Sequence, residues 1–136
     1  MNYWLIKSDP DEYPWNSMVK DKTAEWTGVR SYAARNFLRD MKVSDQALFY
    51  HSGGEKEVVG WVEVERGPIQ EKGAEEGWVM VKFKVGKPLP SPVSLKQIKA
   101  EKSLAEIPLL KISRLSVMPL KKTEYDTILK LSGKGK

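Results

Sequence analysis

The sequence predicts an α+β domain in which five or six short strands form a curved or closed sheet flanked by short helices. The chain of 136 residues has room for one ordinary domain around a single core. Strand-like and helix-like segments follow one another without a regular βαβ rhythm, which favours a mixed sheet over a parallel one. A Rossmann arrangement is disfavoured because no glycine-rich loop follows the first strand.

The first half of the chain opens with a strand over Tyr3–Lys7, which is rich in aromatic and branched residues and ends at a Ser-Asp-Pro turn. Asp9 and Glu12 are spaced as a capping box for one helical turn, which Pro14 would end. The further elements expected in this half are a short helix from Asn16 or Ser17 to about Asp21, a brief strand over 23–27 and a helix over Ser31–Met41.

The clearest helix is the one over Ser31–Met41. Its apolar residues recur at the spacing of one helix face, and Ser31 stands where an N-cap residue belongs. The apolar face consists of Ala34, Phe37, Leu38 and Met41. Arg35 and Arg39 lie on the opposite face, one turn apart.

The second half is predicted to contain three strands, an extended connector, two helices and a final strand. The strands are predicted over 46–52, 58–65 and 78–85, the proline-rich connector over 86–93, the helices over 95–101 and 123–131, and the last strand over 114–118. Ser94 and Gln97 form a capping box, a short turn precedes Pro108, and Gly133 is expected to end the last helix. We therefore expect one domain over residues 1–132 and a frayed tail over 133–136.

Composition excludes several classes of protein. The chain has no cysteine, so disulfide scaffolds and thiolate metal sites are excluded. With a single histidine, His51, a zinc site built on imidazoles is disfavoured, and we expect no metal and no cofactor. No run of about 18 apolar residues occurs, and the amino terminus shows no signal-peptide pattern. These features predict a soluble, intracellular and cytoplasmic protein, or a nuclear one in a eukaryote, that does not bind membranes.

The charge is modestly basic and unevenly distributed. The net charge is +5, and residues 78–136 hold thirteen basic and four acidic side chains. Residues 51–77 hold three basic and seven acidic ones. A basic balance attracts polyanions and makes their binding sensitive to salt, although scattered lysines are as often only a solvated surface.

Catalytic motifs are absent from the sequence. There is no phosphate-binding P-loop, no G-x-G-x-x-G and no G-x-S-x-G. A Ser–His–Asp triad would have to use His51, but adjacent strand residues alternate in direction, so its neighbour Ser52 is not expected to face the same side. We therefore predict that the protein is not an enzyme. A nucleotide-processing enzyme that uses His51 with a nearby carboxylate is kept as a minor alternative.

Tryptophan is the unusual feature of the composition. The chain has five tryptophans, and core packing is the simpler interpretation for each of them. Trp26 differs because a glycine, an arginine and a helix N-terminus at Ser31 follow it closely. An aromatic ring beside free N–H groups and an arginine can stack a base and hold a phosphate.

Four segments resemble the EVE domain family, and they occur in its order over nearly the whole chain. They are residues 3–10 (YWLIKSDP), 25–38 (EWTGVRSYAARNFL), 49–52 (FYHS) and 113–119 (SRLSVMP). The resemblance implies the PUA-like fold, a pseudo-barrel of strands flanked by short helices. It also implies a non-catalytic domain that binds nucleic acid carrying modified bases.

The positions carried over by this resemblance give the expected site. The base pocket would be lined by Lys7, Ser8, Trp26, Ser31, Tyr50, His51, Ser52 and Ser116. Arg30, Arg35 and Arg114 would meet phosphates. Ser31 stands where the family usually has asparagine, which removes an amide able to pair with a base edge. Asp9 replaces a glutamate, and aspartate is the better capping residue.

The expected partner is therefore DNA or RNA with modified bases, with a separate effector protein as a possible further partner. An alternative from another class is a small-ligand or protein-interaction module that uses the same pocket without nucleic acid. Salt dependence separates the two hypotheses, because only a polyanion releases counterions on binding.

Overall fold

The strands of the structure form one mixed sheet. The computed structural model describes residues 2–27, 31–112 and 114–134. The strands are β1 (Tyr3–Ser8), β2 (Thr23–Trp26), β3 (Gln46–His51), β4 (Glu57–Gln70), β5 (Val79–Ser94) and β6 (Val117–Leu120). Their order across the sheet is β2-β5-β4-β3-β1-β6, with β1 and β3 parallel and every other pair antiparallel. Within the described chain this sheet has two edges, so the fold is α+β and not a closed barrel.

Five helices flank the sheet in the part of the chain that the structure describes. They are α1 (Trp15–Asp21), α2 (Tyr32–Asp40), α3 (Leu95–Ala100), α4 (Pro108–Lys111) and α5 (Lys122–Lys134), with one 3-10 turn over Lys102–Leu104. The two strongest local predictions are confirmed. Ser31 caps α2, accepting a bond from the Ala34 N–H, and Ser94 and Gln97 form the capping box of α3.

Several local expectations differ from the structure. The proline-rich stretch over 86–93 is extended as expected, but it belongs to β5, where its pairing with β4 is irregular. Prolines fit there because bulges leave positions that need no N–H donor. The last strand lies at Val117–Leu120, three residues later than expected. Helix α5 continues past Leu131 to Lys134.

The core combines the inner face of the sheet with two buried indoles. Trp4 and Trp15 are buried, whereas Trp26, Trp61 and Trp78 are half-buried. A Cβ at Gly60 would collide with the Trp15 ring, and one at Gly86 would collide with the Trp61 ring. These glycines therefore allow the indoles to lie directly on strands β4 and β5.

Candidate base-binding site

A tight turn after β1 builds the first wall of the candidate site. The N–H groups of Glu12 and Tyr13 both donate to the Asp9 carbonyl, at 2.9 and 2.7 Å. The Asp9 carboxylate accepts the Asp11 N–H at 2.9 Å, so it forms an Asx turn and not the capping box that its spacing predicted. The Ser8 hydroxyl donates to the Tyr13 carbonyl at 2.6 Å. These hydrogen bonds hold Tyr13 beside the end of β1.

Trp26 forms the second wall. It is the last residue of β2 and pairs with Val81 of β5. Its half-buried ring contacts the rings of Tyr13, Phe49 and Phe83 edge-on, with centroids 5.8–6.2 Å apart. Edge-to-face contacts of this kind are favourable and fix the plane of the ring. The indole is therefore held in one orientation before any ligand arrives.

A cavity of about 270 Å³ lies between these two walls. Its lining residues are Lys7, Ser8, Asp9, Glu12, Tyr13, Ala24, Glu25, Trp26 and Thr27. We call it the Trp26 cavity. Ligand pockets commonly measure about 300–1,000 Å³, so this one is sized for a single small group such as one base.

The described residues that line the Trp26 cavity include three carboxylates and one ammonium group. The carboxylates belong to Asp9, Glu12 and Glu25, and the ammonium group belongs to Lys7. Burial, and the hydrogen bond that its hydroxyl donates to Asp21 at 2.9 Å, raise the pKa of Tyr13 to about 12. Tyr13 is therefore neutral at physiological pH. The lining suits a ligand that donates hydrogen bonds and does not suit a phosphate.

A second cavity, of about 340 Å³, shares the residue Lys7 with the first. It is lined by Lys7, Tyr50, Ser52, Lys56, Leu95, Leu109 and Ser116, and we call it the Lys56 cavity. Tyr50 lies opposite Lys7 in the parallel pairing of β1 and β3, and the Lys7 N–H donates to the Ser116 carbonyl at 2.9 Å. Burial and the nearby Lys56 ammonium lower the pKa of Lys7.

The structure therefore divides the expected base-pocket residues between two cavities. Lys7, Ser8 and Trp26 line the Trp26 cavity, whereas Lys7, Tyr50, Ser52 and Ser116 line the Lys56 cavity. Ser31 and His51 line neither of them. The Ser31 hydroxyl caps helix α2, and the His51 Nε2 accepts the backbone N–H of Trp15 at 3.0 Å, at the start of α1.

The three arginines expected at phosphates have different surroundings. Arg30 lies outside the described residues, and Arg114 is exposed in the turn before β6. The Arg35 guanidinium lies over the rings of Tyr32 and Trp78, at 4.8 and 4.7 Å from their centroids. Its Nε is buried without a hydrogen-bond partner among the described residues. Neither Arg35 nor Arg114 lines either cavity.

Sequence reasoning did not find several of the lining residues. Tyr13, Glu12 and Glu25 reach the Trp26 cavity, and Lys56 reaches the other one. The available signal for Tyr13 was the Asp-Pro turn, which sends the chain back toward the strand end. Lys56 follows a Gly-Gly pair, and no local pattern indicates which cavity such a loop residue joins.

Two features are absent from the residues that the structure describes. No group of three or more histidine, aspartate or glutamate side chains is arranged to hold a metal ion in the part of the chain that the structure describes. Among those same residues, no helix has the length and apolar character needed to cross a membrane.

Comparisons with known proteins identify relatives over the full length of the chain. Thymocyte nuclear protein 1 of Mus musculus is 32% identical over 165 aligned positions, covering 96% of this chain and 73% of the mouse protein. The NMR structure of a protein from Rhodopseudomonas palustris is 37% identical, with a TM-score of 0.94, and the match covers 100% of this chain and 96% of that one.

Two further solved structures are similar to this chain in fold. Human THYN1 in a crystal complex with DNA containing 5-methylcytosine is 27% identical, with a TM-score of 0.89 over 97% of this chain and 98% of that one. ASCH from Zymomonas mobilis is 15% identical, with a TM-score of 0.60 over 96% of this chain and 95% of that one. At this identity the likeness shows only that the two chains share the PUA-like fold. The model of the EVE domain matches residues 2–131, and the chain therefore belongs to the EVE domain family.

Proposed function

We propose that this protein binds nucleic acid without chemical turnover and holds one modified base in the Trp26 cavity. The observation that carries the proposal is this cavity, with a preoriented indole as its wall, in an EVE domain. The likeness to human THYN1, whose structure contains DNA with 5-methylcytosine, supports DNA as the nucleic acid.

Stacking on Trp26 would supply most of the affinity for the base. The three rings around the indole hold it in place, so little side-chain entropy is lost when a base packs on it. Base–aromatic stacking contributes about 1–3 kcal/mol per base and tolerates any sequence. A methyl group in a fitted apolar slot changes binding by a similar ~1–3 kcal/mol, which gives preference but not absolute selection.

The carboxylates of the cavity favour a base that carries an amino group. Asp9, Glu12 and Glu25 can only accept hydrogen bonds when ionised, and cytosine offers its N4 amino hydrogens as donors. Thymine and uracil present a carbonyl oxygen at the same position, which would face these carboxylates unfavourably. We therefore propose a modified cytosine, such as 5-methylcytosine, as the preferred base.

Three of the expected pocket residues would have supporting roles. Ser31 and His51 use their side-chain acceptors within the fold, at the start of α2 and of α1. They would therefore position the walls of the site without contacting the base. Ser8 would do the same, since its hydroxyl already donates to the Tyr13 carbonyl.

The first prediction is that Trp26→Ala weakens binding to a modified oligonucleotide about five- to a hundredfold, because stacking is lost. Trp26→Phe should retain much of the affinity because it keeps an aromatic face. The measurement is fluorescence anisotropy with matched oligonucleotides that carry cytosine, 5-methylcytosine or thymine, as DNA and as RNA, at two salt concentrations. Far-UV circular dichroism checks that both variants are folded.

Three results would contradict this function. If Trp26→Ala binds every oligonucleotide as tightly as the wild type, the indole does not hold the base. If a free nucleoside binds as well as any oligonucleotide and salt has no effect, the protein is a small-ligand module. Turnover of a modified nucleotide that is lost in His51→Ala would instead indicate an enzyme.

A further inference from the structure

We propose that the Lys56 cavity is a phosphate subsite that binds a backbone phosphodiester of the same strand whose base enters the Trp26 cavity. This inference rests on the proposed function for the identity of the strand. It concerns a different cavity, which holds Lys56 and the two leucines in addition to expected base-pocket residues.

The chemistry of the lining points to an oxyanion. The lining includes two residues with ammonium groups, Lys7 and Lys56, and three with hydroxyl groups, Tyr50, Ser52 and Ser116. None of the described residues that line this cavity carries a carboxylate. Ammonium and hydroxyl groups are the donors that bind phosphate oxygens in nucleic-acid complexes. The Trp26 cavity, in contrast, carries three carboxylates and would repel a phosphate.

Tyr50 provides an independent observation. The residue is only 2% exposed, and it lines the Lys56 cavity. Burial raises the pKa of the phenol, so the group is a neutral donor. A phenol hydroxyl can donate one hydrogen bond to a group in the cavity. An oxyanion in the cavity would accept this hydrogen bond.

The electrostatics of the two lysines agree with an anion site. The Lys56 ammonium is close enough to Lys7 to lower its pKa, so two like charges are held near each other in the unliganded protein. A bound phosphate would relieve this repulsion. Because Lys7 lines both cavities, a phosphate in one would lie beside a base in the other, as successive parts of one nucleotide strand do.

The experiment measures the salt dependence of binding to a single-stranded oligonucleotide with one 5-methylcytosine and to its unmodified match. Lys56→Ala is expected to weaken binding about fivefold and to reduce the slope of log K against log salt by about 0.7, the value for one lost phosphate contact on a single strand. Tyr50→Phe is expected to weaken binding about threefold with an unchanged slope, because it removes a donor without a charge. Lys130→Ala, which removes an exposed lysine of α5 that lines neither cavity, is the matched control and should change little.

The readouts separate the two proposals. A preference for the modified strand reports on the Trp26 cavity, whereas the slope change reports on the Lys56 cavity with either oligonucleotide. If Lys56→Ala leaves the salt slope of the wild type unchanged, or weakens binding no more than Lys130→Ala does, no backbone phosphate binds in the Lys56 cavity and the proposal is wrong. An NMR titration with inorganic phosphate tests the source of the anion. If the NMR signals of Ser52 and Ser116 shift to saturation with inorganic phosphate while Lys56→Ala leaves the salt slope of oligonucleotide binding unchanged, the cavity binds free phosphate. This result would overturn the assignment of the cavity to a phosphate of the bound strand.

Discussion

The only imidazole of the chain shows how one side chain can serve the fold while resembling a catalytic group. His51 ends β3, and its Nε2 accepts the Trp15 N–H at the first turn of α1. Its ring also contacts Phe49 edge-on, at 5.9 Å. The acceptor must be unprotonated, and burial lowers the pKa of the imidazole below its ordinary value of 6.5. Both effects favour the neutral form in the folded protein.

The second prediction concerns pH. Because the folded pKa of His51 is lowered, its contribution to stability is complete above the unfolded value of 6.5 and is lost as the pH falls through the folded pKa. An NMR titration of the single imidazole should give a pKa below 6.5. The free energy of unfolding of the wild type should fall more than that of His51→Ala between about pH 7.5 and pH 5.5. A measured pKa at or above 6.5 would contradict the prediction.

Helix α2 is the element whose position depends most clearly on its cap. Its first N–H groups lack intrahelical partners, and the Ser31 side chain accepts one of them, from Ala34 at 3.3 Å. The helix buries Ala34 and Leu38 against the core and carries Tyr32 and Arg35 toward Trp78. A change at Ser31 therefore acts on the helix before it acts on any ligand.

The third prediction tests that role. Ser31→Ala should lower the free energy of unfolding by about 1 kcal/mol, because the Ala34 N–H loses its acceptor. Ser31→Asn, which restores the residue typical of the family and supplies an equivalent side-chain oxygen, should be nearly as stable as the wild type. Urea denaturation measures both values. Equal stability of the alanine variant would show that the cap contributes nothing.

At the scale of the whole molecule, Asp45 joins distant parts of the chain. Its carboxylate accepts bonds from the Asn2 N–H, the Trp4 indole Nε1–H and the Lys42 N–H, at 2.9, 3.1 and 3.0 Å. The residue is 2% exposed and precedes β3. It thereby connects the start of β1 with the turn between α2 and β3, which fixes how the parallel strands β1 and β3 begin.

The fourth prediction is that Asp45→Ala destabilises the protein by about 3 kcal/mol, because buried donors lose their shared acceptor. Asp45→Asn keeps one acceptor oxygen and should cost less. Asp40→Ala removes an exposed carboxylate at the end of α2 and should change the unfolding free energy by less than about 0.5 kcal/mol. Thermal and urea unfolding compare the three variants. Similar values for Asp45→Ala and Asp40→Ala would refute the role of Asp45.

Local patterns in the sequence determined the elements that depend on neighbouring residues. The spacing of Ala34, Leu38 and Met41 predicted α2, and the Ser94–Gln97 box predicted α3, because capping and helix periodicity act over a few positions. The family segments, in turn, predicted the EVE domain and singled out Trp26. Successive side chains of a strand point to opposite faces, and the first half of β4 shows this pattern, with Val58, Gly60, Val62 and Val64 buried and the residues between them less so.

Only the tertiary structure decided how those faces combine into cavities. Lys7 and Tyr50 are neighbours because β1 and β3 pair in parallel. Tyr13 contacts Trp26 because the turn after β1 lies beside the edge strand β2. Alternation along a strand predicts which of its residues share a face. It does not predict which other strand pairs with that strand, or in which register. For that reason the sequence predicted one pocket, whereas the fold separates an acidic cavity beside an indole from a basic cavity lined with hydroxyl groups.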